Sequence, residues 1–273
     1  MEEHGGPALT LPLGTEAYTA DAPRVAVHGY VLSTSDLDAA LSRRLPPLLR
    51  DDEGRERLAA LLSMAADTAF AVDGINRLLS RIPDPPSWRI GEALAEALLT
   101  DYRSCEFPWP GGRDLKNPSA SAAGTDLVGF ASLTGDECRF AFGEVKTSSQ
   151  KQWPPTVVDG RHGMRKQLED LCTSTVFKDS LVTYLGHHSI QSDWQARYVG
   201  AARRYFADET DVSLFGVLVR DVDADARDLA GRATTIGGAC PAGTSIELLA
   251  IYLPPDSIDA LPALVAAALG SAQ

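Results

Sequence analysis

Gly124-Thr125-Asp126-Leu127-Val128-Gly129-Phe130, followed after Thr134-Gly135-Asp136-Glu137 by Phe140-Ala141-Phe142-Gly143-Glu144-Val145-Lys146-Thr147, is the stretch that decides how the chain is read. Two apolar-rich runs flank a Thr-Gly-Asp-Glu turn, so Thr125 to Leu133 and Cys138 to Lys146 are predicted to be strands of one hairpin. An antiparallel hairpin with that turn sets Asp126 across from Glu144 and Lys146. Side chains alternate along a strand, so Glu144 and Lys146 share a face while Val145 enters the opposite layer. Phe140 and Phe142 have the parity of Glu144, so this face begins apolar and ends charged, which suits a site wall better than a solvent face. The plainer reading of Glu144 and Lys146 is a solvated ion pair, which contributes little stability.

The pattern has a chemical use. Two carboxylates brought together form an oxygen-rich pocket suited to Mg²⁺ or Mn²⁺, hard cations that take oxygen ligands. A cation so held polarises a phosphodiester oxygen and lowers the pKa of a bound water, and a neighbouring lysine can orient that water or offset the developing charge.

Outward from the hairpin, the first twenty or so residues are turn-rich and read as a loose arm. Arg24 to Leu32 reads as a strand. Helices are expected from Ser35 or Asp36 to Leu45, where Pro46-Pro47 interrupts, and from Asp52 to Leu79 with a break near Asp73-Gly74. IPDPP at 82–86 is a hard break, and Ser87 is the expected N-cap of a helix over Trp88 to Tyr102. There Ile90, Leu94 and Leu98 line one face, with Glu92 and Glu96 on another. Cys105 to Ala123 reads as an extended loop. Beyond the hairpin come helices at Gly163 to Thr175, Phe177 to His187 and Asp193 to Phe206, strands at Val212 to Asp221 and Thr244 to Leu253, and a helix from Ser257 to Leu269. The expected fold is α/β, a mixed central sheet flanked by helices. An N-terminal arm, strand and helical region would occupy 1–82 and the sheet-centred domain 83–273.

A chain of 273 residues with 44% hydrophobic residues can bury a sizeable core. No apolar run approaches the roughly 20 residues that span a bilayer, and the N-terminus lacks the pattern of a secretory signal, so a cytoplasmic protein is expected. Four widely spaced cysteines predict reduced thiols, and five histidines without a zinc motif predict no zinc. The net charge of −12 argues against strong autonomous binding to nucleic acid, since Lys and Arg supply most of the phosphate affinity. Lys151, Arg161, Arg165 and Lys166 form the best local basic cluster, just after the hairpin.

The run D-x-V-G-F, a hairpin, then F-G-E-V-K-T resembles the active-site core of the PD-(D/E)XK nuclease superfamily. The resemblance spans about Ser87 to Cys172 and implies a restriction-endonuclease-like sheet and a Mg²⁺- or Mn²⁺-dependent DNA nuclease. It implies that Asp126 and Glu144 bind metal, that Lys146 acts on the water, and that Glu92 adds a helical acid. Gln167 resembles a helical Gln that some branches place near the metal. A Thr precedes Asp126 where the family often has Pro. The order helical G-E, G-T-D, F-G-E-V-K and M-R-K-Q-L-x-D-L is also similar to the nuclease subunit family of the Hachiman anti-phage system, which implies a helicase partner and DNA as substrate. The alternative is a noncatalytic subunit of nuclease fold that binds or regulates a partner protein.

Overall fold

The structure, a computed structural model, describes residues 10–80, 85–114 and 124–270. In chain order the elements are β1 (Thr15–Ala22), β2 (Val25–Val31), α1 (Thr34–Ala39), α2 (Leu45–Arg50), α3 (Asp52–Ser63), α4 (Ala69–Ser80), α5 (Ser87–Tyr102), β3 (Cys105–Glu106), β4 (Leu127–Ser132), β5 (Cys138–Ser148), α6 (Thr156–Asp159), α7 (Met164–Thr173), α8 (Thr175–Ser189), α9 (Gln195–Ala207), β6 (Val212–Arg220), α10 (Ala230–Ala239), β7 (Ser245–Tyr252) and α11 (Leu261–Gly270). The strands form one seven-stranded mixed sheet in the order β1-β2-β7-β6-β5-β4-β3. β5, β6, β7 and β2 run parallel to one another, with antiparallel β4–β3 on one side and β1 on the other. Parallel neighbours need long crossovers, and the helices that supply them cover both faces. Every residue of β6 is buried, as expected of a central strand.

Alternation splits the core in two. Ala141 and Val145 of β5 join Val217, Val219, Leu249 and Ile251 beneath α1, α2, α5 and α11. Phe140 and Phe142 join Leu214, Leu218 and Leu248 beneath α7, α8, α9 and α10. Phe140 is the hub of the second layer: its ring lies 5.6 to 6.3 Å from those of Phe130, Phe142, Tyr198 and Tyr205.

The hairpin, the two late strands and the helices from α7 to α9 lie where the sequence puts them. Several local readings are corrected. Thr15–Ala22, expected as a loose arm, pairs with β2. β2 in turn pairs with β7, so strands on both sides of residue 82 belong to one sheet. Pro46 and Pro47 open α2 in its first turn, where a missing N–H costs nothing, after a π-helical turn at Ala40–Arg44. The break in the long helix falls at 64–68, with Gly74 inside α4. Pro86, not Ser87, is the N-cap of α5, and the Ser87 hydroxyl donates instead to the Ile258 carbonyl at 2.9 Å. Part of the IPDPP break and of the loop before Gly124 lies outside the described residues. A short strand, β3, was missed, as was α10, whose AGRATTIGGA sequence is a poor helix former. Burial of Ala233, Ile236 and Gly237 overrides that propensity.

Cys172 and Cys240, expected to be reduced, form a disulfide with Cα atoms 4.9 Å apart, while Cys105 and Cys138 are free and buried. The partners are 68 residues apart, and only the packing of α10 on α7 brings them together. Among the described residues no helix is long and apolar enough to cross a membrane.

Truncating Phe140 to Ala should destabilise the chain by about 3–5 kcal/mol, the usual cost of emptying a large aromatic site in a packed core. Chemical denaturation of wild type and Phe140→Ala checks this, and a loss below about 1 kcal/mol would refute the role given to that ring.

Candidate active site

β4 pairs with β5 in the register Leu127 to Gly143, so the residue before β4, Asp126, comes opposite Glu144. Asp126 Oδ2 accepts the backbone N–H of Val145 at 2.7 Å, which fixes the carboxyl against β5. The negative charge of Asp126 acts directly on Glu144. Glu144 is 1% exposed, its Oε1 takes the Lys146 ammonium, and its Oε2 is buried without a partner. The three hairpin residues singled out in the sequence therefore meet at one place.

Two glycines let helices close over this spot. Gly216 of β6 is the register partner of Glu144, and a Cβ there would meet Leu168 Cδ1 and Leu248 Cδ2 at 2.8 Å and Met164 Sδ at 3.0 Å. α7 thus settles onto the sheet beside Glu144, and its Gln167 has Oε1 buried without a partner. On the other face, a Cβ on Gly91 would collide with Thr147 Oγ1, so α5 packs directly on the end of β5. Glu92, the next residue, is thereby delivered to the edge of the site. Arg89, one helical turn back, donates to Glu92 Oε2 at 3.2 Å.

The electrostatics follow from this burial. Glu92 is pushed up to about 7, first by loss of water and then by the negative charge of Asp126, against the pull of Arg89. Glu96 is pushed up to about 7 by burial, opposed by Arg89 and Arg44. Asp126 and Glu144 both rise through burial; the charge of Asp126 adds to the rise at Glu144, and Lys146 opposes it at both. Asp126 is the common neighbour, felt by Glu92 on one side and Glu144 on the other.

These are the donors a hard divalent cation takes, and the orphaned Glu144 Oε2 is a buried acceptor that such an ion would satisfy. The residues fit Mg²⁺ or Mn²⁺ by chemistry. Among the described residues, no three His, Cys, Asp or Glu side chains stand close enough to grip one ion. For such an ion to bind, Glu144 would have to share or release Lys146 and the acids would have to draw together.

The basic residues fare differently. Arg165 donates to Glu169 at 2.6 Å and to Asp159 at 3.3 Å, and Lys166 to Asp170 at 2.5 Å, so local acids answer their charge. Lys151 and Arg161 are exposed and form no ion pair among the described residues. Sequence reasoning missed Arg89 and Trp88, which with Glu92, Glu96, Trp109 and Asp126 line a small cleft of about 40 Å³ beside the acids. The R-x-x-E spacing of Arg89 and Glu92 was the available signal. No protein-family model matches the chain, and no curated protein is significantly similar to it.

A carboxyl whose pKa is raised on folding adds stability below its unfolded value, and that stability is lost as pH climbs through the folded one. Glu92 and Glu96 move from 4.5 to about 7. In chelator, Tm should therefore fall by about 5 °C between about pH 5 and about pH 8, and Glu92→Gln should flatten part of the fall. A Tm that rises across this window would contradict the assignment.

Proposed function

We propose that this chain is a divalent-metal-dependent DNA endonuclease with a restriction-endonuclease-like PD-(D/E)XK core, serving as the effector of a bacterial anti-phage defence system beside a helicase partner. The observation that carries the reading is the meeting of Asp126, Glu144 and Lys146 at the end of the β4–β5 hairpin, with Glu144 buried and one of its oxygens unsatisfied.

Asp126 and Glu144 would hold Mg²⁺ or Mn²⁺, with Glu92 reaching in from α5. When bound, the ion polarises the phosphodiester and lowers the pKa of a coordinated water. Lys146, on the strand face of Glu144 and partly open to solvent, is the group placed to hold the attacking water or to neutralise charge on the phosphate oxygens. The Val145 N–H keeps Asp126 aimed at the site. Arg89 supplies positive charge at the cleft, where an anionic strand would otherwise face only acids. The net charge of −12 leaves little general affinity for DNA, which supports delivery by a partner.

Plasmid cleavage in Mg²⁺ tests the proposal. Wild type should nick or cut, chelator should abolish this, and Glu144→Ala or Lys146→Ala should each lower the rate at least about hundredfold. Equal activity in all arms would end it. A second reading, a noncatalytic nuclease-fold subunit, is favoured by the acidic charge and by the absence of a ready three-ligand cluster among the described residues. It predicts no chelator-sensitive cleavage from any arm.

A further inference from the structure

The cleft beside the acids is nearly shut. Its space of about 40 Å³ holds a few water molecules, so no nucleotide enters it as it stands. Glu92 and Asp126 both line it, and a phosphodiester approaching an ion on those carboxyls needs more room than this. One segment does the narrowing. Phe107, Trp109, Pro110, Gly111 and Gly112 supply one wall, while α5 and the residues around the start of β4 supply the rest.

The segment leaves the sheet after Glu106 of β3, which pairs with Phe130, and up to Asp114 it joins no strand. Side chains hold it down instead. Trp109 stacks on His188 of α8 at 3.9 Å and 11°, and its Nε1 donates to Asp114 at 3.2 Å. The Tyr184 hydroxyl, also on α8, donates to Asp114 at 2.5 Å. The Arg113 guanidinium carbon lies 4.8 Å from the Trp109 centroid, and the same group grips Asp51, between α2 and α3, through Nε at 2.7 Å and Nη2 at 2.6 Å. The bonds to Asp114 are exposed, so water competes for them, and no backbone ladder has to break for the segment to lift.

Resting on the nuclease reading, we propose that residues 107–114 form an autoinhibitory strap. Pinned to α8 through Trp109 and Asp114, and to Asp51 through Arg113, the strap keeps the acids closed to DNA. The strand that is cut reaches Asp126 and Glu92 only after the strap is displaced. Displacement costs a stacked ring pair, one charged pair and the hydrogen bonds to Asp114, and it leaves β3, β4 and β5 paired.

Carboxyl footprinting with a carbodiimide and a small amine, run in chelator and read by mass spectrometry, tests this without relying on activity. The reagent is too large for a cleft of about 40 Å³, so labelling of Glu92 and Glu96 follows the population with the strap lifted. His188→Ala combined with Tyr184→Phe should label both acids about tenfold faster than wild type, and Arg113→Ala, which frees the other anchor, should do the same. His188→Phe, which keeps a flat ring against Trp109, should label like wild type. The exposed Asp193 is the internal reference and should label equally in every chain. Unchanged labelling of Glu92 and Glu96 in the released variants overturns the proposal, as does an equal rise at Asp193, which marks general loosening of the fold. In Mg²⁺ the released variants should also nick plasmid about tenfold faster than wild type. Faster labelling with no nicking from any chain sinks the nuclease reading and leaves the strap standing, whereas nicking by wild type that the released variants do not exceed sinks the strap alone.

Discussion

Two carboxyl groups, Asp126 and Glu144, are buried opposite each other at the end of a hairpin, and the Lys146 ammonium, joined at Asp126 by Arg89, stands against their combined charge. The unfavourable energy of keeping both ionised in that spot is the constraint from which the site's properties follow. It raises the proton affinity of the pair, spreads through Asp126 to Glu92, and leaves one Glu144 oxygen without a donor. Under the proposed function, a divalent cation would offset the charge of the pair and give the unpartnered Glu144 oxygen a ligand.

The rest of the architecture holds that arrangement in place. β5 is paired on both sides, so neither Glu144 nor Lys146 can drift with the strand. Gly216 and Gly91 are positions where a missing Cβ lets α7 and α5 press onto the two faces of the sheet around Glu144. Further along β6, on the face of the sheet that carries Glu144, Arg220, fully buried, pairs with Asp228 and donates to the Gln152 carbonyl at 3.3 Å, which ties down the chain just after β5. A buried pair of this kind is weak grounds for stability, and its use here is to fix the path of the loop that carries Lys151.

The hairpin was legible because its turn chemistry and parity are local, and Asp126, Glu144 and Lys146 inherited their juxtaposition from it. Phe140 and Phe142 likewise announced which layer would be buried. What escaped were features set by distant packing. β1 lacks a strong alternating pattern and becomes a strand only by pairing with β2. α10 is helical against its propensity because it covers the β1–β2 edge of the second core layer. Cys172 and Cys240 carry no local spacing signal for each other. Glu96 looked like a second acid on an exposed helix face, yet α5 is buried on nearly all sides, and only the fold turns that residue into a cleft wall.

Calorimetric titration of the chain with Mg²⁺ near pH 7, repeated in two buffers of different ionisation enthalpy, tests the central claim most directly. Carboxyls whose proton affinity is raised must release protons when a cation displaces them, so the account predicts saturable binding with a buffer-dependent heat that Glu144→Ala greatly weakens. Absence of saturable binding, or identical heats from wild type and Glu144→Ala, would contradict it.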